Sequence, residues 1–423
     1  MISLIEVLNY RCLRYIKQKL NSFHVLVGPN ASGKSTFLDV IAFMGDFVSQ
    51  GPASAYESRT KNFRDLLWMN KGQNFEMAIE AFIPDELRNK ISNPDFDTIR
   101  YEISIGIDDE TKEIQIFSEK ALLRNCSKFY SQIEQRSLFP ELSKAPSTIL
   151  SSKKMSSAKV KTILNKVRGR NDNFYSEVYK KPGGGWTPTI KYGPFKSSLG
   201  NLPGDEKDFP VSTWFRALLI SGVQQFILNS LLIRKASPPG QSYTFKSDGS
   251  NVPWIIESLK RKDPKNFHNW IVHLQSALPD LESIETIERE DDKHCYLVLK
   301  YRGGLRVPSW MASDGTLRLL ALTIPAYLKN LKGVYLIEEP ENGIHPRAIE
   351  SMLQSLSSVY DAQILLATHS PIILSIVPLE KVLCFAKNDN GETDIVLGSE
   401  HPKLRDWRGD PNLSILFTSG VLG

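Results

Sequence analysis

Eight consecutive residues, Gly28-Pro29-Asn30-Ala31-Ser32-Gly33-Lys34-Ser35, match G-x-x-x-x-G-K-[ST] at every fixed position. Glycines at those two places let backbone N–H groups turn inward around phosphate oxygens, and a helix starting at the second adds its positive end. The lysine of such a loop reaches the β- and γ-phosphates, and the hydroxyl that follows it ligates Mg²⁺. Gly28, Asn30, Ser32, Gly33, Lys34, Ser35 and Thr36 are therefore the expected nucleotide-binding segment, with ATP and Mg²⁺ as its cofactors.

Three further groups could act on a bound polyphosphate. Val334 to Ile337 is an apolar run ending in Glu338-Glu339. A strand tip opposite a phosphate loop is where a Mg²⁺-orienting carboxylate and a water-activating base belong. Glu338 is assigned to the metal and Glu339 to the general base; an ordinary acidic strand end is the bland alternative. Thr368-His369-Ser370-Pro371 follows the next apolar run, so His369 either senses a γ-phosphate oxygen or caps the following helix. Its place one strand after the acidic pair favours the first. Ser313-Asp314-Gly315-Thr316 is a small-residue turn before Leu317 to Leu322, which reads as a helix start and as a possible anion site.

The elements that must carry these residues follow from periodicity. Phe23 to Val27 is a β-prone run ending at Gly28, and Thr36 to Ile41 has helical spacing, giving the strand–loop–helix setting that the motif requires. Ile2 to Val7 and Phe75 to Ile83 alternate as strands, whereas 333–337 and 362–367 are the continuous apolar runs of a buried parallel sheet. A last strand is expected near 381–385, and helices over 213–234 and 253–276. The two ends thus carry α/β pattern and the middle does not. The expected organisation is an α/β domain from residues 1–105 and 290–395, interrupted by a largely helical insert at 106–289, with a tail at 396–423.

Composition excludes several classes. Of 423 residues, 41% are hydrophobic and 23% charged, ordinary for a globular protein with a sizeable core. No apolar stretch approaches a membrane span, the first twenty residues do not form a signal peptide, and four scattered cysteines fit free thiols. A cytoplasmic protein without a membrane partner is expected. The net charge of +5 permits a nucleic-acid partner without arguing for one.

In this order, the motifs resemble those of the ABC-type ATPases, in particular the SMC/RecF-like branch and its OLD-family and AAA-type relatives in bacterial defence and repair. Asn9-Tyr10-Arg11-Cys12-Leu13-Arg14 and Asn30 of the phosphate loop share in the likeness. It implies an ATPase head with a mainly parallel sheet plus an antiparallel N-terminal β layer. It also implies that Arg11 touches the nucleotide and that Ser313 and Gly315 belong to the signature motif. Glu341 to Pro346 becomes the D-loop, His369 the switch histidine and Gln73 a Q-loop metal ligand. Two ATP molecules would be shared head to tail between copies of the chain, each held by one phosphate loop and the other copy's signature. Two departures stand out. Glu338 replaces the usual aspartate, and the signature reads Ser-Asp-Gly, placing the Asp314 charge beside a phosphate.

Residues 153–170 carry Lys153, Lys154, Lys159, Lys161, Lys166, Arg168 and Arg170 with no acid, near Tyr175, Tyr179 and Trp186. A phosphate-backbone contact and a solvated basic face are equally compatible with that run. The resemblance implies a mechanochemical ATPase that couples its nucleotide state to an effector. The expected setting is anti-phage defence with a separate nuclease, since too little chain follows His369 for a nuclease domain. DNA repair, a transporter subunit and an ATP-gated toxin-holding scaffold are the alternatives.

Overall fold

The computed structural model describes residues 1–126, 145–152, 159–179, 189–203, 206–241, 244–329 and 331–401. Its strands are β1 (Ile2–Tyr10), β2 (Leu13–Lys19), β3 (Phe23–Val27), β4 (Asn74–Phe82), β5 (Thr98–Ile107) and β6 (Ile114–Arg124). Then come β7 (Val160–Val167), β8 (Asp172–Phe174), β9 (Thr189–Ile190), β10 (Val223–Phe226), β11 (Leu281–Glu288) and β12 (Cys295–Tyr301). The last are β13 (Arg306–Pro308), β14 (Gly333–Glu338), β15 (Ala362–Ala367), β16 (Val382–Lys387) and β17 (Thr393–Leu397). The chain divides into two compact units, one from 1–21, 30–223 and 385–395, the other from 22–29, 224–384 and 396–423.

The first unit is built on an eight-stranded sheet in the order β2-β1-β4-β5-β6-β7-β8-β9. Neighbouring strands are antiparallel, with Val7 opposite Met77 and Ile79 opposite Tyr101. The alternation of β4 decides what each face buries. Phe75 points to the helix Lys34–Gln50, where it meets Phe43 and Tyr10 at ring separations of 5.4 and 5.1 Å.

The opposite face is charged, buried and internally paired. Arg100 bonds the carboxylates of Glu6 (2.7 Å), Glu80 (3.1 Å) and Glu102 (2.6 Å). Residues 148–151 cross this face. The Ile149 amide donates to Glu76 and the Ser151 amide to Glu102, both at 2.8 Å. Each buried charge thus meets an opposite charge or a donor, which makes its burial tolerable.

This sheet corrects the expected insert. Strands β6 to β9 extend the same sheet past residue 105, and none of the described residues of 106–203 is helical. The expected helix over 213–234 is also divided. Pro210–Ala217 is helical, Leu218–Gly222 is a single π turn, β10 follows, and Ser230–Arg234 starts afresh with Asn229 capping the Leu231 amide. Apolar spacing runs through the break, which is why the sequence hides it. The helix expected over 253–276 is two, Val252–Lys262 and Pro264–Ala277, because Pro264 cannot continue the ladder and Asp263 caps the second.

The second unit carries a six-stranded sheet ordered β10-β14-β15-β3-β16-β17. Its centre is parallel: Glu338 lies opposite Ala367, Ala367 opposite Leu26, and Leu26 opposite Leu383. Val25, Val27, Ile337, Ile364 and Leu366 share a core with Trp270, Leu274, Leu317, Leu320 and Met352 of the surrounding helices. A three-stranded antiparallel sheet, β11-β12-β13, completes this unit.

Candidate nucleotide site

The parallel register brings three motifs to one sheet edge. β14, β15 and β3 end side by side, so Glu338-Glu339, Thr368-His369 and Gly28 leave the same carboxyl edge of adjacent strands. In open parallel sheets this edge is where ligands bind.

The phosphate loop has the backbone that its sequence demands. Ala31 and Gly33 have φ of 62° and 107°, and the helix Lys34–Gln50 begins at the next residue. At Gly33 a Cβ would come within 2.6 Å of the Thr393 hydroxyl and 3.1 Å of Cys12 Sγ, so no side chain fits. The Thr393 hydroxyl donates to the Ser32 carbonyl at 2.9 Å, and the Thr393 amide donates to the Cys12 carbonyl at 3.1 Å. Sequence reasoning gave Thr393 no role, because its contact with the loop spans 361 residues. Lys34 and Ser32 are buried, Ser35 and Asn30 are exposed, and Cys12 Sγ lies 3.6 Å from the Thr36 hydroxyl. The Ser32 hydroxyl is buried with no hydrogen-bond partner among the described residues. A buried polar atom without a partner is costly, and a phosphate oxygen at this loop would relieve it. The residues present therefore fit a polyphosphate.

Arg11 sits on the β1–β2 turn with φ of 48°, and its guanidinium pairs with Asp39 of the helix after the loop at 3.2 Å. Gln73 is exposed before β4, and its amide donates to Asp109 at 2.6 Å. Asp109 lies in the turn between β5 and β6, so the side chain of Gln73 bridges the start of β4 to that turn.

At the acidic strand tip the chain kinks. Glu339 has φ of 46°, a left-handed conformation that costs a non-glycine residue about 1–2 kcal/mol. The kink is held by the Glu339 amide donating to the Ala367 carbonyl (2.8 Å) and by Asn342 Nδ2 donating to the Glu339 carboxylate (2.5 Å). Both Glu338 and Glu339 are exposed on the rim of a cavity of about 390 Å³, also bordered by Arg318, Leu322 and Asn342. Glu341 accepts hydrogen bonds from the Thr368 hydroxyl and the His369 amide through Oε1, and its Oε2 is buried without a partner among the described residues. Glu341 therefore ties the turn after β14 to the His369 segment.

Ser313 caps the helix Asp314–Thr323, its hydroxyl accepting from the Thr316 amide at 3.2 Å. Gly315 has a steric reason as well: a Cβ there would lie 2.3 Å from the Gly343 carbonyl. The signature turn and the turn at 341–343 are thus pressed together. Asp314 is paired with Arg234, 80 residues earlier, at 2.6 Å. On β3, burial of His24 pushes its imidazole down to about 4, against a weak contact with the Lys381 carbonyl.

Most described members of the basic run are used inside the fold. Lys166 is buried against Asp172 at 3.1 Å. Lys161 donates to Ser92 and to the Glu177 and Tyr179 carbonyls, and Arg168 pairs with Asp108. Lys161 and Lys166 of the expected basic stretch are thus taken up by the fold rather than standing as solvated charge. Lys153, Lys154, Trp186 and most of the tail lie outside the described residues.

The fold is that of SMC head domains, with a phosphate-binding loop at the edge of the parallel sheet. The chain belongs to the family described as "AAA domain, putative AbiEii toxin, Type IV TA system", whose profile matches residues 23–375. It is 30% identical over 130 residues to protein ea59 of Escherichia phage lambda, covering 30% of this chain and 24% of that protein. The chain thus spans about a quarter of that relative's length. Among solved structures it is similar to the SMC head bound to the C-terminal winged-helix domain of ScpA. The TM-score is 0.53, with 14% identity, 93% of this chain and 97% of that one covered. At that identity the likeness is one of fold. An SMC head with an extended coiled coil, derived from Pyrococcus furiosus, aligns at a TM-score of 0.49, with 12% identity over 93% and 95% of the chains.

Proposed function

We propose that the chain binds and hydrolyses ATP in a dimer of two copies and uses the nucleotide state to control a separate effector. The shared carboxyl edge of β14, β15 and β3 carries this reading. Lys34 neutralises the β- and γ-phosphates, and the loop amides bind their oxygens. Ser35 and Glu338 would hold Mg²⁺, which supplies charge neutralisation at the phosphates when bound. Glu339, fixed by Asn342, takes a proton from the attacking water, and His369 orients the γ-phosphate. Ser313 of the second copy closes the site, and hydrolysis reopens it.

The test is a pair of variants. Lys34→Ala is expected to abolish ATP binding. Glu339→Gln is expected to keep binding, lower turnover by at least about a hundredfold and trap an ATP-dependent dimer. Hydrolysis by Glu339→Gln at the parent rate would remove Glu339 as base. The family description supports a setting in toxin–antitoxin or anti-phage defence. The SMC-head fold supports a protein partner, since one such head is seen bound to ScpA. A low-turnover scaffold that holds a toxin is the second reading, and the turnover of the parent chain separates the two.

A further inference from the structure

The signature's Ser-Asp-Gly places a carboxylate where a partner's triphosphate would arrive. Asp314 is 60% exposed, so its charge faces outward. It does not stand alone. Arg234 Nε and Nη2 both donate to its Oδ1, at 3.1 and 2.6 Å, and Nη1 donates to the Trp310 carbonyl at 3.1 Å. The Arg234 carbonyl in turn accepts from the Ser309 hydroxyl at 2.9 Å. The guanidinium is therefore held at both ends against the signature turn. These contacts use three of its five N–H groups, and its side chain is 26% exposed.

We propose that Arg234 is a positioning residue for the shared site: it cancels the Asp314 charge and so lets the Ser-Asp-Gly turn accept the polyphosphate held by a second copy. This rests on the shared-site reading above. A carboxylate within a few ångströms of a phosphate opposes closure, and an arginine fork on that carboxylate cancels the repulsion. A strut that merely joined the helix Ser230–Arg234 to the signature turn would need both partners. A charge-cancelling arginine becomes dispensable once the carboxylate is gone.

The experiment measures ATP-dependent dimerisation by analytical ultracentrifugation in the Glu339→Gln background. Arg234→Ala is expected to weaken the ATP dimer at least about tenfold while ATP binding to the monomer stays within about twofold. Adding Asp314→Asn to Arg234→Ala is expected to restore the dimer to within about threefold of the parent. Asp314→Asn alone is expected to hold or tighten the dimer, and this variant keeps the test decisive should Arg234→Ala fold poorly. An Arg234→Ala dimer of parental strength, or a double variant as weak as Arg234→Ala, overturns the inference. If the Glu339→Gln parent itself fails to dimerise on ATP, the shared-site reading falls first and takes the inference with it.

Discussion

His24 lies on β3, the strand that ends in the phosphate loop, and is paired on one side with β15 and on the other with β16. Its side chain is buried, and desolvation lowers its proton affinity from the ordinary 6.5 to about 4. The native state therefore keeps the imidazole neutral while the unfolded chain takes up a proton below pH 6.5. Where the unfolded state binds more protons, stability rises with pH. The contribution is thus complete above pH 6.5 and is lost as pH falls toward 4. At about 1.4 kcal/mol per pKa unit, the loss reaches about 3 kcal/mol by pH 4. His24→Gln removes this titration and keeps a neutral side chain. Urea midpoints for parent and variant, followed by tryptophan fluorescence between pH 7 and 4, give the assay. The parent is expected to lose about 3 kcal/mol more than the variant across pH 6.5 to 4. Parallel curves would refute the reasoning, because a solvated or already protonated His24 contributes no such difference.

Two further outcomes follow from the same sheet edge. Gly315→Ala drives a Cβ into the Gly343 carbonyl, and overpacking of this kind costs about 1–3 kcal/mol. A lower melting temperature and loss of the ATP-dependent dimer, with monomer ATP binding intact, are expected; an unaffected dimer would contradict the account. Glu341→Ala leaves the Thr368 hydroxyl and the His369 amide without their acceptor, at about 1–3 kcal/mol. Steady-state kinetics should then show kcat reduced at least about tenfold with KM for ATP within about twofold. Unchanged kcat would mean that Glu341 does not set the His369 segment.

The nucleotide-binding end of the molecule was readable because its signals are local. The strand Phe23–Val27, the loop and the following helix are contiguous, and the runs before Glu338 and Thr368 are continuous apolar segments of the type a parallel sheet buries. The middle was not readable because long-range contacts override local pattern there. Lys161 and Lys166 look like solvated charge, yet as part of β7 they reach an aspartate and backbone carbonyls across the sheet. Likewise the partner of Asp314 is 80 residues away, a distance at which a single sequence carries no pairing signal. Glu341 was assigned to a loop, but its bond to Thr368 depends on the β14–β15 register.

The position of β3 also orders events in time. This strand precedes both of its neighbours, Ala362–Ala367 and Val382–Lys387, by more than three hundred residues of chain. Parallel pairing across such a span is slow to close. During synthesis the strand that leads into the phosphate loop is therefore made long before its sheet partners. The register that sets Gly28 beside Thr368 forms only once residues 362–384 have been made and flank β3. The sheet edge at Gly28 is thus completed by late-made strands of its own sheet, and the loop depends on distant chain for its setting.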